Sequence, residues 1–367
     1  MSHTIDHPVH KSDAEFLGWQ ETNRGDIFPL YNILRDGHPS NGSTVSEDTL
    51  RELKLRVPKT LTPYPDSGPT PWQGISIETN NLLTAREAIE AAGLDFTVVK
   101  KPLQEAVGLQ TSAETSHLWA TVRTDTGAVL GIVDDSYVPI QNADAFTFFD
   151  DLVGGNEAIY ETVGSLGGGK RIWILAKLPG FIKVHKRDII DKFLLLSNSH
   201  DGSSLVRAKL TPIRVVCNNT LFAALKGAGD TRIRHTLNAA EHMKQAHSLL
   251  GLSHSLYDQL AVIFNRMSLM KITDTQLMDY VKTLIPENEA GEGNAGTKNI
   301  RKTVFELYES GKGADLSRGT IWGAFNAVTE YTDHAMEGTP NTRLESNWFG
   351  PGEQLKLRAF QLAERMT

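Results

Sequence analysis

Four stretches between residues 158 and 216 constrain this chain most: AIYETVGSL, KRIWILAKL, KFLLLSNS and SLVRAKLTPIRVV. Each is rich in β-branched, aliphatic or aromatic residues, and KRIWILAKL and SLVRAKLT alternate in character with a period of two, as a strand with two different faces does. The first pair is joined through Gly167, Gly168 and Gly169, the second through His200, Asp201 and Gly202. Connections this short favour antiparallel neighbours, because parallel ones need a long crossover. A mainly antiparallel sheet is therefore predicted.

Upstream, TAREAIEAAG carries an N-cap residue in Thr84, a glutamate three positions on in Glu87, and a terminator in Gly93. That is a capping box followed by a helix stop. FTVVKKPL, HLWATVRT and AVLGIVDDSYVPI then read as strands, the last two joined by a turn at Asp125-Thr126-Gly127. NADAFTFFDDLVGG reads as a helix, and NNTLFAALKG as another that Gly227 ends. Residues 84–235 are thus expected to form one α+β domain with an α-β-β-β-α core.

From 236 to 367 the pattern turns helical. LNAAEHMKQAHSLLGL, SLYDQLAVIFNRMSLM and DTQLMDYVKTLI precede the polar break PENEAGEGNAGTKN; NIRKTVFELYES, TIWGAFNAVTEYTDHAM and GEQLKLRAFQLAERM follow it. Residues 1–80 are expected to be an N-terminal arm or linker, crowded with turn formers in TLTPYPDSGPTPW and holding one short helix from Ser46 to Leu55.

The chain has 367 residues and a single cysteine, Cys217, which excludes an internal disulfide framework and suits a reducing compartment. The opening MSHTIDHPVHKSDAEF lacks the apolar core of a secretory signal, and no apolar run is long enough to cross a membrane. A cytoplasmic location is the expectation. The net charge of -7 hides a segregation: residues 170–236 hold 13 Lys plus Arg against 4 acids, which is +9 and leaves -16 elsewhere. Such asymmetry points either to a polyanion site or to a solvated basic face.

Within that window, KRIWILAKL sets Arg171, Trp173, Leu175 and Lys177 on one face, and SLVRAKLT sets Arg207 and Lys209 with Leu205 and Thr211. If the two strands share a sheet in register, their cations form a stripe. Lys170, Arg171, Lys177, Arg207, Lys209 and Arg214 are the candidate nucleic-acid contacts; Trp173 either stacks a base or enters the core. GSLGGGKR matches a P-loop up to its lysine, but Arg171 replaces the required Ser or Thr and a strand pattern follows where a helix is needed. The glycines read instead as a hairpin turn, with Gly167, Gly168 and Gly169 a candidate phosphate-contacting loop.

Other constellations are weaker. Ser199, His200 and Asp201 are consecutive, and neighbours on a chain point apart rather than converging as a triad. Cys217 reads as a buried small residue or as a thiol at a strand–helix junction. The histidines show no zinc-hydrolase spacing, so no metal or cofactor is assigned.

Several longer motifs carry a resemblance: TPW at 70–72, TAREAIEAAGLDFTVVKKPL, YETVGSLGGGKRIWILAKLPG, LTPIRVVCNNTL, GTIWGAFNAVTEYTDH and WFGPGEQLK. With them the chain resembles the phage/plasmid-like family, domain of unknown function 932, over roughly residues 70 to 367. Where that family shows Trp-His-Gly-Leu-Gly, this chain has Trp72-Gln73-Gly74-Ile75-Ser76, so no metal or acid–base role is carried to position 73. The resemblance implies carriage on phages and plasmids and no assigned catalytic residue. The order helix, three strands, helix is also similar to the core of phage single-strand annealing proteins, which assemble with DNA along a basic groove. The expectation is a homo-oligomeric DNA-binding protein that handles single strands in recombination, with possible annealing. A metal-dependent enzyme on nucleic acid or nucleotide and a self-assembling interaction protein are the alternatives.

Overall fold

The structure, a computed structural model, describes residues 14–21, 27–35, 38–40, 70–78, 84–107, 118–154, 157–185, 187–203, 206–221, 231–232, 239–287 and 295–367. Internal contacts divide the chain into two units, Met1–Pro63 and Tyr64–Thr367.

In the first unit, β1 (Ala14–Glu21), β2 (Ile27–Arg35) and β3 (His38–Ser40) form an antiparallel meander. The sequence reading expected an arm or linker with no strand here. Two features mask the strands: the register shifts between Phe16 and Gly18, and Pro29 lies inside β2 opposite Trp19. Both interrupt the alternation by which a strand is recognised. The helix expected over Ser46–Leu55 lies outside the described residues.

The second unit opens on a strand that its sequence did not predict and a helix that it did. After β4 (Ser76–Glu78), α1 (Ala85–Ala91) begins with Thr84 accepting from the Glu87 amide and the Glu87 side chain answering the Thr84 amide. Gly93 ends it at φ 63°. β5 (Val98–Pro102), the short α2 (Leu103–Val107), β6 (Trp119–Arg123) and β7 (Val129–Val133) follow, the strands pairing antiparallel in the order β5-β6-β7. A 3-10 turn (Thr147–Phe149) runs into α3 (Asp150–Gly154).

The larger sheet is built on a long hairpin, β9 (Arg171–Val184) with β10 (Asp188–Ser199). β8 (Ile159–Leu166) and β4 extend it on one side. On the other side β10 is shared: β11 (Arg207–Leu210) pairs with its Leu194–Ser197 half and β12 (Ile213–Arg214) with Ile190–Asp191. β13 (Asn219–Thr220) and β14 (Thr231–Arg232) complete the edges. Asn219 and Thr220 are therefore strand, not the opening of the helix expected in NNTLFAALKG; residues 222–230 lie outside the described set.

α4 (Ala239–Leu269) is one helix of 31 residues where the pattern suggested two. Gly251 sits in its interior at a cost of about 1 kcal/mol, and the buried series Leu249, Leu250, Ser253, Leu256, Tyr257, Leu260, Phe264 and Met267 keeps helical spacing across it. α5 (Asp274–Leu284), α6 (Ala295–Ser310), α7 (Ala314–Ser317) and α8 (Ile321–Glu330) follow, and α8 continues into a π-helical turn, Tyr331–Ala335. α9 (Pro340–Phe349), missed in sequence, starts on an N-cap at Thr339 with Pro340 in its first turn; α10 (Pro351–Arg365) ends the chain.

Both faces of the central hairpin are buried. Ile172, Ile174, Ala176, Leu194 and Leu196 join the main core, which continues through Tyr257, Phe264, Trp322 and Phe360 of the helices. Trp173, Leu175, Phe193 and Leu195 point the other way into a smaller cluster with Trp72, Leu344 and Trp348. The sheet and the helical tail thus share one core. Tyr257 ties them further: its hydroxyl donates to the Phe193 carbonyl at 2.5 Å and accepts from the Phe193 amide at 2.8 Å, at the register shift of β10.

Candidate nucleic-acid interface

Gly167, Gly168 and Gly169 form the β8–β9 turn, with φ of 60°, 68° and 102°. All three lie in the left-handed region, which explains the glycine run. Because a strand, not a helix, follows, the turn offers no helix N-terminus to a nucleotide phosphate. It is held from outside. Arg123 of β6 donates to the Gly168 carbonyl at 2.9 Å while its guanidinium lies 3.7 Å over the Phe96 ring. A Cβ on Gly169 would stand 2.7 Å from Phe96. The Lys170 carbonyl accepts from the His200 amide at 2.7 Å. Arg123 was not among the residues singled out in sequence; its neighbours in VRTDTG mark only a turn.

The register then tests the stripe. Ser197 of β10 stands opposite Trp173 of β9 and opposite Arg207 of β11. One step along the same face, Leu195 stands between Leu175 and Lys209, and a step the other way Ser199 stands opposite Arg171. Arg171, Trp173, Arg207 and Lys209 do share one face across three adjacent strands.

What covers that face differs from the expectation. Trp173 is fully buried beneath Trp348, 4.8 Å between centroids at an interplanar angle of 86°, so it is a core residue and not a stacking platform. Lys177 is buried and bonded to Asp191 at 2.9 Å. Arg214 is buried on Asp188, with Nε 3.0 and 2.8 Å from the two carboxylate oxygens, and Nη2 donates to the Gly313 carbonyl at 2.9 Å. Neither cation can track a phosphate in this conformation. Lys209 is half-buried, 3.0 and 3.2 Å from the Glu353 carboxylate oxygens and 3.0 Å from the Trp348 carbonyl. Arg171 donates to Ser203 Oγ at 2.9 Å and lies 4.1 Å over the Phe349 ring. Arg207 is half-buried, and Lys170, Gly167 and Gly168 are exposed.

The electrostatics agree. Burial opposes the charge on Arg214, but Asp188 outweighs it and holds the guanidinium above its ordinary value. Burial raises the Asp191 carboxyl against the pull of Lys177.

The remaining candidates resolve simply. His200 Nε2 meets Asn142 Oδ1 at 2.6 Å, and Ser199 Oγ bonds Asp201 directly, so the three consecutive residues form no relay. Burial pushes the His200 imidazole down to about 4. Burial likewise pushes the Cys217 thiol up to about 12, the opposite of an activated nucleophile. Among the described residues no group of three or more His, Cys, Asp or Glu is placed to hold a metal ion, and no helix is long and apolar enough to cross a membrane.

An antiparallel sheet with apolar cover on both faces, a cation row at one edge and a helical C-terminal region define an α+β protein. The chain belongs to the family described as a domain of unknown function (DUF932), whose model matches residues 129–349, from β7 to the end of α9. No curated protein and no solved structure matches it.

Proposed function

We propose that this protein binds single-stranded DNA through the backbone phosphates and handles it in recombination of the phage and plasmid kind, by annealing strands in the cytoplasm. The observation that carries the reading is the register: Arg171 of β9 and Arg207 and Lys209 of β11 stand on one face of the sheet, either side of β10 and next to Lys170 and the exposed Gly167 and Gly168 of the turn. Adjacent strands lie about 4.8 Å apart, so with β10 between them the β9 and β11 cations are separated by roughly 10 Å, a spacing an extended polyanion can span. Trp173, Lys177 and Arg214 belong to the scaffold of this row. Self-association of the protein accompanies the reading, supported by the exposed apolar residues Val262 and Leu269 of α4, Met270 just after it and Met278 of α5.

A labelled oligothymidylate titrated over a range of salt tests the proposal. Binding that weakens steeply with salt, and weakens further with a shallower slope in the Lys170→Glu, Arg207→Glu double variant, supports it. Absence of binding at low salt, or affinity indifferent to salt, overturns it. Sizing the protein with and without the oligonucleotide reads the assembly.

A further inference from the structure

The face carrying the cation row is closed by α9 and the first turn of α10, and the chemistry of that closure resembles a nucleic acid's own. Glu353 sets both carboxylate oxygens on Lys209, as a phosphate would. Phe349 lies under the Arg171 guanidinium at 4.1 Å and 5.0 Å from the Lys209 ammonium, as a base would. Trp348 adds a second aromatic ring against Trp173.

The closure is also incomplete in its hydrogen bonding. Among the described residues, Trp173 Nε1, Trp348 Nε1 and Ser197 Oγ are buried in this layer without a partner. A buried donor lacking an acceptor destabilises the arrangement that holds it. A chain rich in acceptor oxygens is the kind of ligand that satisfies such groups.

The two helices are anchored differently. α10 is fixed in the main core by Phe360 and by Lys356, whose ammonium is buried on Asp333 at 2.5 Å. α9 contributes Leu344 and Trp348 to the smaller cluster, and Asn347 bonds the Thr332 carbonyl at 2.6 Å. α9 therefore places no side chain in the main core, and it and the Glu353 side chain are what a strand would have to displace.

We propose that Trp348, Phe349 and Glu353 act as an intramolecular competitor for single-stranded DNA, occupying the inner part of the cation face until a strand displaces them. This inference rests on the DNA-binding reading and extends it from the exposed turn to Arg171 and Lys209.

The test compares oligothymidylate affinity of the wild type with Glu353→Gln and Phe349→Ala, each checked for folding by thermal melting, and follows amide hydrogen exchange over residues 340–349 in the wild type with and without the oligonucleotide. Roughly fivefold to tenfold tighter binding by the variants, and faster exchange in α9 on binding, support the proposal. Wild-type binding with unchanged variant affinity and unchanged or slowed exchange overturns it and leaves the DNA-binding reading standing. Absence of binding by the wild type and both variants removes the reading and the competitor together. If Phe349→Ala does not fold, Glu353→Gln and the exchange measurement decide.

Discussion

Trp348 stands edge-on to Trp173, ring centroids 4.8 Å apart, and through that contact a helix near the end of the chain seals the outer face of a strand that begins at Arg171. Both rings are fully buried. Replacing Trp348 by alanine empties one of the three tryptophan sites of the smaller core cluster and is expected to destabilise the fold by about 3–5 kcal/mol. Urea denaturation followed by circular dichroism measures this; an unchanged midpoint means the second layer contributes nothing to stability.

Arg214 and Asp188 form a buried pair, and Trp322 Nε1 donates to the same carboxylate at 2.8 Å. Asp188→Asn leaves the guanidinium charged and uncompensated in the interior, at an expected cost of about 3–5 kcal/mol. A loss below about 1 kcal/mol indicates that water reaches the pair.

Asp150 accepts from the Ala85 amide at 2.7 Å and from the Tyr160 hydroxyl at 2.8 Å, yet burial still raises its carboxyl to about 6. Below about pH 4 the carboxyl is protonated folded and unfolded, so it carries no penalty. Above pH 6 the folded protein holds a buried carboxylate, and stability has been lost across that window. Asp150→Asn, which keeps an acceptor oxygen, is expected to stabilise by about 2 kcal/mol at pH 8 and to change nothing at pH 4. Melting curves at the two pH values decide; equal effects at both exclude the carboxylate as the cause.

The Tyr257 hydroxyl accepts from the Phe193 amide where β10 changes register. Tyr257→Phe strands that amide in the core and is expected to cost about 1–3 kcal/mol. Native-state hydrogen exchange at Phe193 should accelerate while the far end of β9 is unaffected.

Cys217 is buried with its thiol held near 12. A thiol reagent is expected to label it only after unfolding, with a rate that tracks denaturant. Rapid labelling of the folded protein contradicts this placement.

Local signals in the sequence were legible where one residue or turn decides the outcome. The Thr84–Glu87 capping box, the glycine hairpin and the three-strand meander of β5, β6 and β7 all stand as read. The shared face of Arg171, Arg207 and Lys209 was legible too, because alternation fixes sidedness. What alternation does not encode is cover. Glu353 reaches Lys209 across 144 positions, and Asp188 meets Arg214 across 26; the first pairing exists only once α10 is docked, the second only once β10 and β12 share a sheet. The strands of the first unit were hidden by a bulge and a proline, and α9 by brevity, although Thr339 and Pro340 are a sound helix start.

A ribbon that is apolar on both sides has no inside and outside of its own, so sliding it by one residue against its neighbour would not expose an oily surface to water. The β8–β9–β10 ribbon settles its alignment by other means. Gly164 leaves the gap that the Trp173 ring fills, where a Cβ would stand 2.6 Å from the indole, and Lys177 meets the Asp191 carboxylate at 2.9 Å. Those two keys, one steric and one ionic, favour this alignment over its neighbours.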